Sequence, residues 1–90
     1  MIFDWDPEKN AENLRRHGFS LKEAEAVFRD EARLEELDDR DYGEERWLTI
    51  GRLRSIIAVV VYTERSGVFR LISARKAEPD EEGRYYASWF

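Results

Sequence analysis

One histidine, His17, stands in the run Arg15-Arg16-His17-Gly18. Imidazole is the ordinary side chain whose charge changes near neutral pH, so His17 is the first candidate for moving a proton. A second group of reactive types, Tyr62-Thr63-Glu64-Arg65, closes an apolar run, and Arg70, Arg75 and Lys76 lie in the next one. Together these types suit metal-free cleavage of RNA. That reaction needs a group to take the ribose 2′-OH proton, a cation for the charge developing on the phosphoryl oxygens, and an acid for the 5′-oxygen leaving group. By chemistry, Arg65 and Arg75 hold the scissile phosphate, Lys76 assists, and His17 or Glu64 moves the protons. Arg16, Tyr62 and Arg70 are the candidate RNA contacts. Structural roles compete at each position. His17 ends a helix and can cap its carbonyls, Arg75 can form an ion pair with Glu64, and Trp5, Trp47 and Trp89 suit core or interface anchors as well as stacking platforms.

Other chemistries lack their residues. Cysteine is absent, which removes disulfides, thiolate metal sites and thiol nucleophiles. The acids of residues 30–45 lack the spacing of a calcium loop, and one histidine cannot build a histidine metal centre. No Gly-rich phosphate loop and no nucleophile elbow is present. The expectation is an enzyme or binding module with no cofactor and no metal.

The elements that must position these residues are legible from capping and periodicity. Met1 to Trp5 is a strand candidate. Asp6-Pro7-Glu8 then supplies an N-cap, a first-turn proline and an acid, so a helix runs from Pro7 to His17 and stops at Gly18. Ser20 with Glu23 forms a capping box, and Leu21, Ala24, Val27 and Phe28 fall on one face of a second, short helix. Ala32 to Leu37 is a weak strand, and Asp38 to Glu45 an acidic loop. Trp47 to Ile50, Ser55 to Glu64 and Val68 to Arg75 are three strands of an antiparallel meander, with Ser66-Gly67 as the last turn. Strand alternation puts Arg70 and Lys76 on one face and Arg75 on the other. The apolar run Ile56 to Tyr62 predicts a central strand covered on both faces. Pro79 to Glu82 can open a last helix, weakened by Gly83. The fold class is α+β, with two N-terminal helices on an antiparallel sheet in one domain.

Net charge is −5, which by itself argues against a nucleic-acid partner. Its distribution is uneven. Residues 30–45 hold nine acids and two bases, a net of −7, whereas residues 46–76 hold seven bases and one acid, a net of +6. The amino terminus has no basic stretch followed by an apolar run, and no segment is long enough to span a bilayer, so a cytoplasmic location is expected.

Three stretches together resemble the BrnT family of toxins. They are Phe3-Asp4-Trp5-Asp6-Pro7-Glu8-Lys9 with Asn13-Leu14-Arg15-Arg16-His17-Gly18, then Glu44 to Gly51, then Val59 to Arg65 with Leu71 to Ala77. The resemblance implies a RelE-like fold, metal-independent endoribonuclease activity, and a BrnA-like ribbon-helix-helix antitoxin. It also implies a toxin–antitoxin heterotetramer that reaches operator DNA only through the antitoxin. The matching positions are His17, Tyr62, Glu64, Arg65, Arg75 and Lys76. Two departures stand out: Arg16 replaces the usual lysine before His17, and the segment after Ala77, commonly a basic helix, is acidic. An acidic tail beside an RNA site weakens binding. The rival reading is therefore a non-catalytic co-repressor module on the same scaffold.

Overall fold

The computed structural model of the chain describes residues 1–38, 40 and 43–89. The strands are β1 (Ile2–Trp5), β2 (Leu34–Asp38), β3 (Arg46–Leu53), β4 (Ile56–Arg65) and β5 (Val68–Lys76). The helices are α1 (Pro7–His17), α2 (Leu21–Ala24), a 3-10 turn (Glu25–Arg29) and α3 (Pro79–Ala87). Most of the acidic loop expected at Asp38 to Glu45 is covered by this description, but Asp39, Asp41 and Tyr42 lie outside the described residues.

The sheet order is β1-β5-β4-β3-β2. The meander β3-β4-β5 forms as the β-branched runs require, and β2 adds antiparallel to β3. Ser66 (φ 52°) and Gly67 (φ 81°) turn the chain between β4 and β5 in the left-handed region that such tight hairpins demand. β1 corrects the expectation of a purely antiparallel sheet, because it pairs parallel to β5, Ile2 with Val68 through Trp5 with Leu71. Its alternation explains the docking: Phe3 and Trp5 pack into the core, and the Phe3 ring lies 5.0 Å from that of Phe28.

Helices cover both faces of the sheet, as the apolar run Ile56 to Tyr62 requires, with the C-terminal helix forming the second layer beside the two N-terminal ones. The larger core lies under α1, α2 and the 3-10 turn and includes Phe19, Leu21, Val27, Phe28, Val60 and Leu71. The smaller core lies under α3, where Tyr85 packs with Ile50, Ile57, Val59 and Ala77. α1 begins at Asp6, whose carboxylate accepts from the Glu8 N–H, and ends at Gly18 in the left-handed conformation. Ser20 and Glu23 form the expected capping box of α2.

Gly83 does not prevent α3. Pro79 opens the helix, the Glu81 carboxylate accepts the Glu78 N–H at 2.8 Å, and burial of Tyr85 outweighs the cost of one exposed glycine. The Tyr85 hydroxyl donates to Asp30 Oδ2 at 2.5 Å, and the same carboxylate accepts the backbone N–H groups of Arg52 and Ala32. Burial, then the Asp30 bond, pushes the Tyr85 hydroxyl up to about 12. It therefore stays a donor at neutral pH.

Candidate functional site

β5 carries a bulge. Tyr62 pairs with Leu71 and Val61 with Ser73, so Ile72 has no opposite number on β4. The extra residue reverses the alternation: Phe69 and Leu71 face the larger core before it, and Ala74 faces the same core after it. Arg70 and Arg75 consequently share the α3 face, and Lys76 follows Ala74 onto the other. This reverses the facing that simple parity predicts.

At the bulge β5 outruns its neighbour, since β1 ends opposite Leu71. α1 takes over as the lateral partner of β5. Asn13, 6% exposed, accepts the Ala74 backbone N–H on its Oδ1 at 3.0 Å and donates from Nδ2 to the Phe19 carbonyl at 2.8 Å. A buried amide thus replaces a missing strand and satisfies a β5 donor. Between α1 and the bulge lies a cleft of about 200 Å³ lined by Lys9, Glu12, Arg16, His17, Ile72 and Ser73, with Asn13 as its floor. Arg16 pairs with Glu12 at 3.5 Å, both largely exposed, while Lys9 and Arg15 have no carboxylate partner among the described residues. The arrangement offers an imidazole, cations, a carboxylate and a hydroxyl at one groove.

Of the residues expected to act, only His17 and Arg16 line this cleft. Glu64 and Arg65 line a second one of about 480 Å³, with Glu44, Glu45, Trp47 and Thr63, at the end of β4. Arg65 pairs opposite Val68, and Arg75 stands seven residues farther along β5, about 20 Å away at the rise of an extended strand. One phosphate cannot meet both. Arg75 instead binds Glu81 with two hydrogen bonds of 2.7 and 2.8 Å, not Glu64, because its register places it opposite Val59. Arg70 pairs with Asp4 at 2.6 Å and Arg65 with Glu44 at 2.5 Å. Lys76 is exposed.

Tyr62, expected to touch RNA, is a core residue at 4% exposure. Its ring meets Phe28 and Phe69 at centroid distances of 5.2 and 5.5 Å. Burial, then Glu35, pushes its hydroxyl up to about 12.

Lys9, Glu12, Asn13 and Ser73 were missed as site residues. The first three recur with Arg16 at helical spacing on one stripe of α1, a signal present in the sequence. Ser73 becomes a lining residue only through the bulge. Among the described residues no three His, Asp or Glu side chains converge as a metal site, and no helix is long and apolar enough to cross a membrane.

The sequence model of the BrnT ribonuclease toxin of type II toxin–antitoxin systems matches residues 5–81. The chain belongs to that family. The match spans α1, the whole β2-β5 sheet and the first residues of α3. Membership in the BrnT family brings ribonuclease toxicity as the family's activity, RNA as its target and an antitoxin as partner. A comparison with curated protein sequences found no match. Within this BrnT chain, the family-matched region contains both clefts and excludes Tyr85, Tyr86 and Trp89.

Proposed function

We propose that this BrnT chain is itself an endoribonuclease that cleaves RNA without a metal in the α1–β5 cleft. The observation that carries this reading is the convergence of His17, Arg16, Lys9, Glu12 and Ser73 on one groove beside the bulge. In the proposed step Lys9 and Arg16 hold the phosphate, and Lys76, on the same side of β5 as Ala74, adds a third cation. A carboxylate, Glu12, takes the ribose 2′-OH proton as the 2′-oxygen attacks phosphorus. His17 in its charged form protonates the departing 5′-oxygen. The products are a 2′,3′-cyclic phosphate and a free 5′-hydroxyl. The partner in this reading is a BrnA-like ribbon-helix-helix antitoxin in a heterotetramer, the fold is RelE-like, and the pair works in the cytoplasm.

Purified chain with His17→Ala is expected to cut RNA at least a hundredfold more slowly, with an unchanged circular dichroism spectrum. Undiminished cleavage by that variant would sink the assignment. A second reading, a non-catalytic co-repressor, is favoured by the ion pairing of Arg65, Arg70 and Arg75 to the chain's own carboxylates. It predicts that the unaltered chain leaves RNA intact and does not arrest growth when expressed alone.

A further inference from the structure

The second cleft has a different chemistry from the first. Its carboxylates are Glu44, Glu45 and Glu64, and its single cation is Arg65. A net charge of −2 at one cleft repels phosphate. The cleft already shows what it accepts, because the Arg65 guanidinium, 64% exposed, lies against Glu44 at 2.5 Å. Glu45 and Glu64 are exposed and have no cation partner among the described residues.

The cleft also has an apolar wall beside an open edge. Trp47, half-buried, lines it, and the cross-strand partner of Trp47 is Leu37, which is 51% exposed. An indole next to carboxylates is a favourable seat for a guanidinium or ammonium group. Leu37 belongs to β2, the outermost strand, whose far edge has no strand neighbour among the described residues. Edge strands of this kind accept an added strand from another chain.

We propose that this corner, from the β2 edge to the Trp47 cleft, is a docking surface for a basic, extended segment of a protein partner. Such a segment places an arginine or lysine against Trp47, Glu45 and Glu64, an apolar side chain on Leu37, and its backbone along β2. Charge complementarity selects a basic polypeptide and disfavours RNA. Glu64 and Arg65 thereby act in partner recognition rather than in cleavage. The inference stands apart from the assignment of the α1–β5 cleft, since neither its residues nor its ligand are shared.

The test uses the full chain labelled with ¹⁵N and three probes: the peptide Arg-Leu-Arg-Val-Arg-Leu, its counterpart with glutamate for arginine, and a ten-nucleotide single-stranded RNA. The basic peptide is expected to shift the Trp47 indole N–H and the amides of residues 34–37, with binding that weakens as salt rises. The double variant Glu45→Gln/Glu64→Gln, at two exposed positions, is expected to bind it about threefold more weakly or worse. The acidic peptide is expected to leave these resonances in place, and the RNA to move only those around Ser73 and Arg16. Shifts of Trp47 by RNA, equal binding of both peptides, equal binding of the basic peptide by the double variant, or absence of basic-peptide shifts at this corner would each overturn the proposal. Failure of RNA to move Ser73 alone would count against the nuclease cleft and leave this surface standing.

Discussion

Asn13 does more for the candidate site than its neutral amide suggests. Its two hydrogen bonds join α1, the turn after Gly18 and β5 at the point where the strand would otherwise present an unpaired N–H. Asn10, one turn earlier, accepts the Leu21 and Lys22 N–H groups and ties α1 to the start of α2. His17 follows Asn13 by about one turn, so its position over Ser73 depends on this clamp. Asn13→Ala leaves the Ala74 N–H and the Phe19 carbonyl without their partner. The expected cost is about 2 to 4 kcal/mol in denaturant unfolding, because each orphaned buried group costs roughly 1–3 kcal/mol. Loss of less than about 0.5 kcal/mol would show that the clamp is replaced by water. Glycine matters in a similar way at one position. A Cβ on Gly51 would meet Val27 Cγ1 at 2.9 Å, so β3 and the 3-10 turn can pack this closely only because that side chain is missing.

At the scale of elements, α3 is held at both ends by carboxylates. Glu81, buried, caps the first turn and grips Arg75, and Asp30 holds Tyr85 from the opposite side. The Arg75 guanidinium, and then the Glu78 N–H, hold the Glu81 carboxyl below the ordinary range against the effect of its burial. A depressed carboxyl contributes stability that is present above its unfolded value of about 4.3 and is lost as pH falls through the lower folded value. Acid should therefore loosen α3 before the meander. Hydrogen exchange between pH 6 and pH 3 is expected to show earlier loss of protection in residues 82–87 than in β4, and Glu81→Gln should show that loss already at pH 6. Equal acid sensitivity of α3 and β4 would contradict this account.

Over the whole molecule, ion pairing redistributes the charge that the sequence segregates. Five of the seven bases in residues 46–76, Arg46, Arg54, Arg65, Arg70 and Arg75, face acids drawn from other segments. The basic third of the chain is thus largely neutralised by the chain's own acids rather than offered whole to phosphate. The cations left without carboxylate partners among the described residues include Lys9 and Arg15 of α1, on the element that lines the smaller cleft. With Lys9, Arg16 and Lys76 as the phosphate contacts, the logarithm of RNA affinity should fall with the logarithm of salt with a slope of about −2.1, at roughly −0.7 per contact on a single strand. Lys9→Ala should lower that slope to about −1.4 in a filter-binding series, at roughly −0.7 per contact, whereas Arg75→Ala should leave it unchanged. A slope lost in Arg75→Ala would move the RNA to the α3 face.

Local rules made much of this protein legible without its structure. Asp6-Pro7, Gly18, the Ser20/Glu23 box and the β-branched runs specify α1, α2 and the β3-β4-β5 meander, because caps and turns act through neighbours a few residues apart. The family was legible too, in motifs that span most of the chain. Three things required tertiary structure. β1 joins β5 in parallel across more than sixty residues of chain, a pairing that no local pattern encodes. The bulge at Ile72 reverses the facing of Arg75 and Lys76, because the period-two rule holds only for an uninterrupted strand. Which cations remain for phosphate was decided by partners that the fold brings up, Asp4 for Arg70 and Glu44 for Arg65 from distant segments, and Glu81 for Arg75 from the helix that follows β5. The amino-acid sequence by itself determined which chemical groups the chain possesses, and the tertiary structure decided which of them are left to act, since a charge paired across the fold is no longer offered to a ligand.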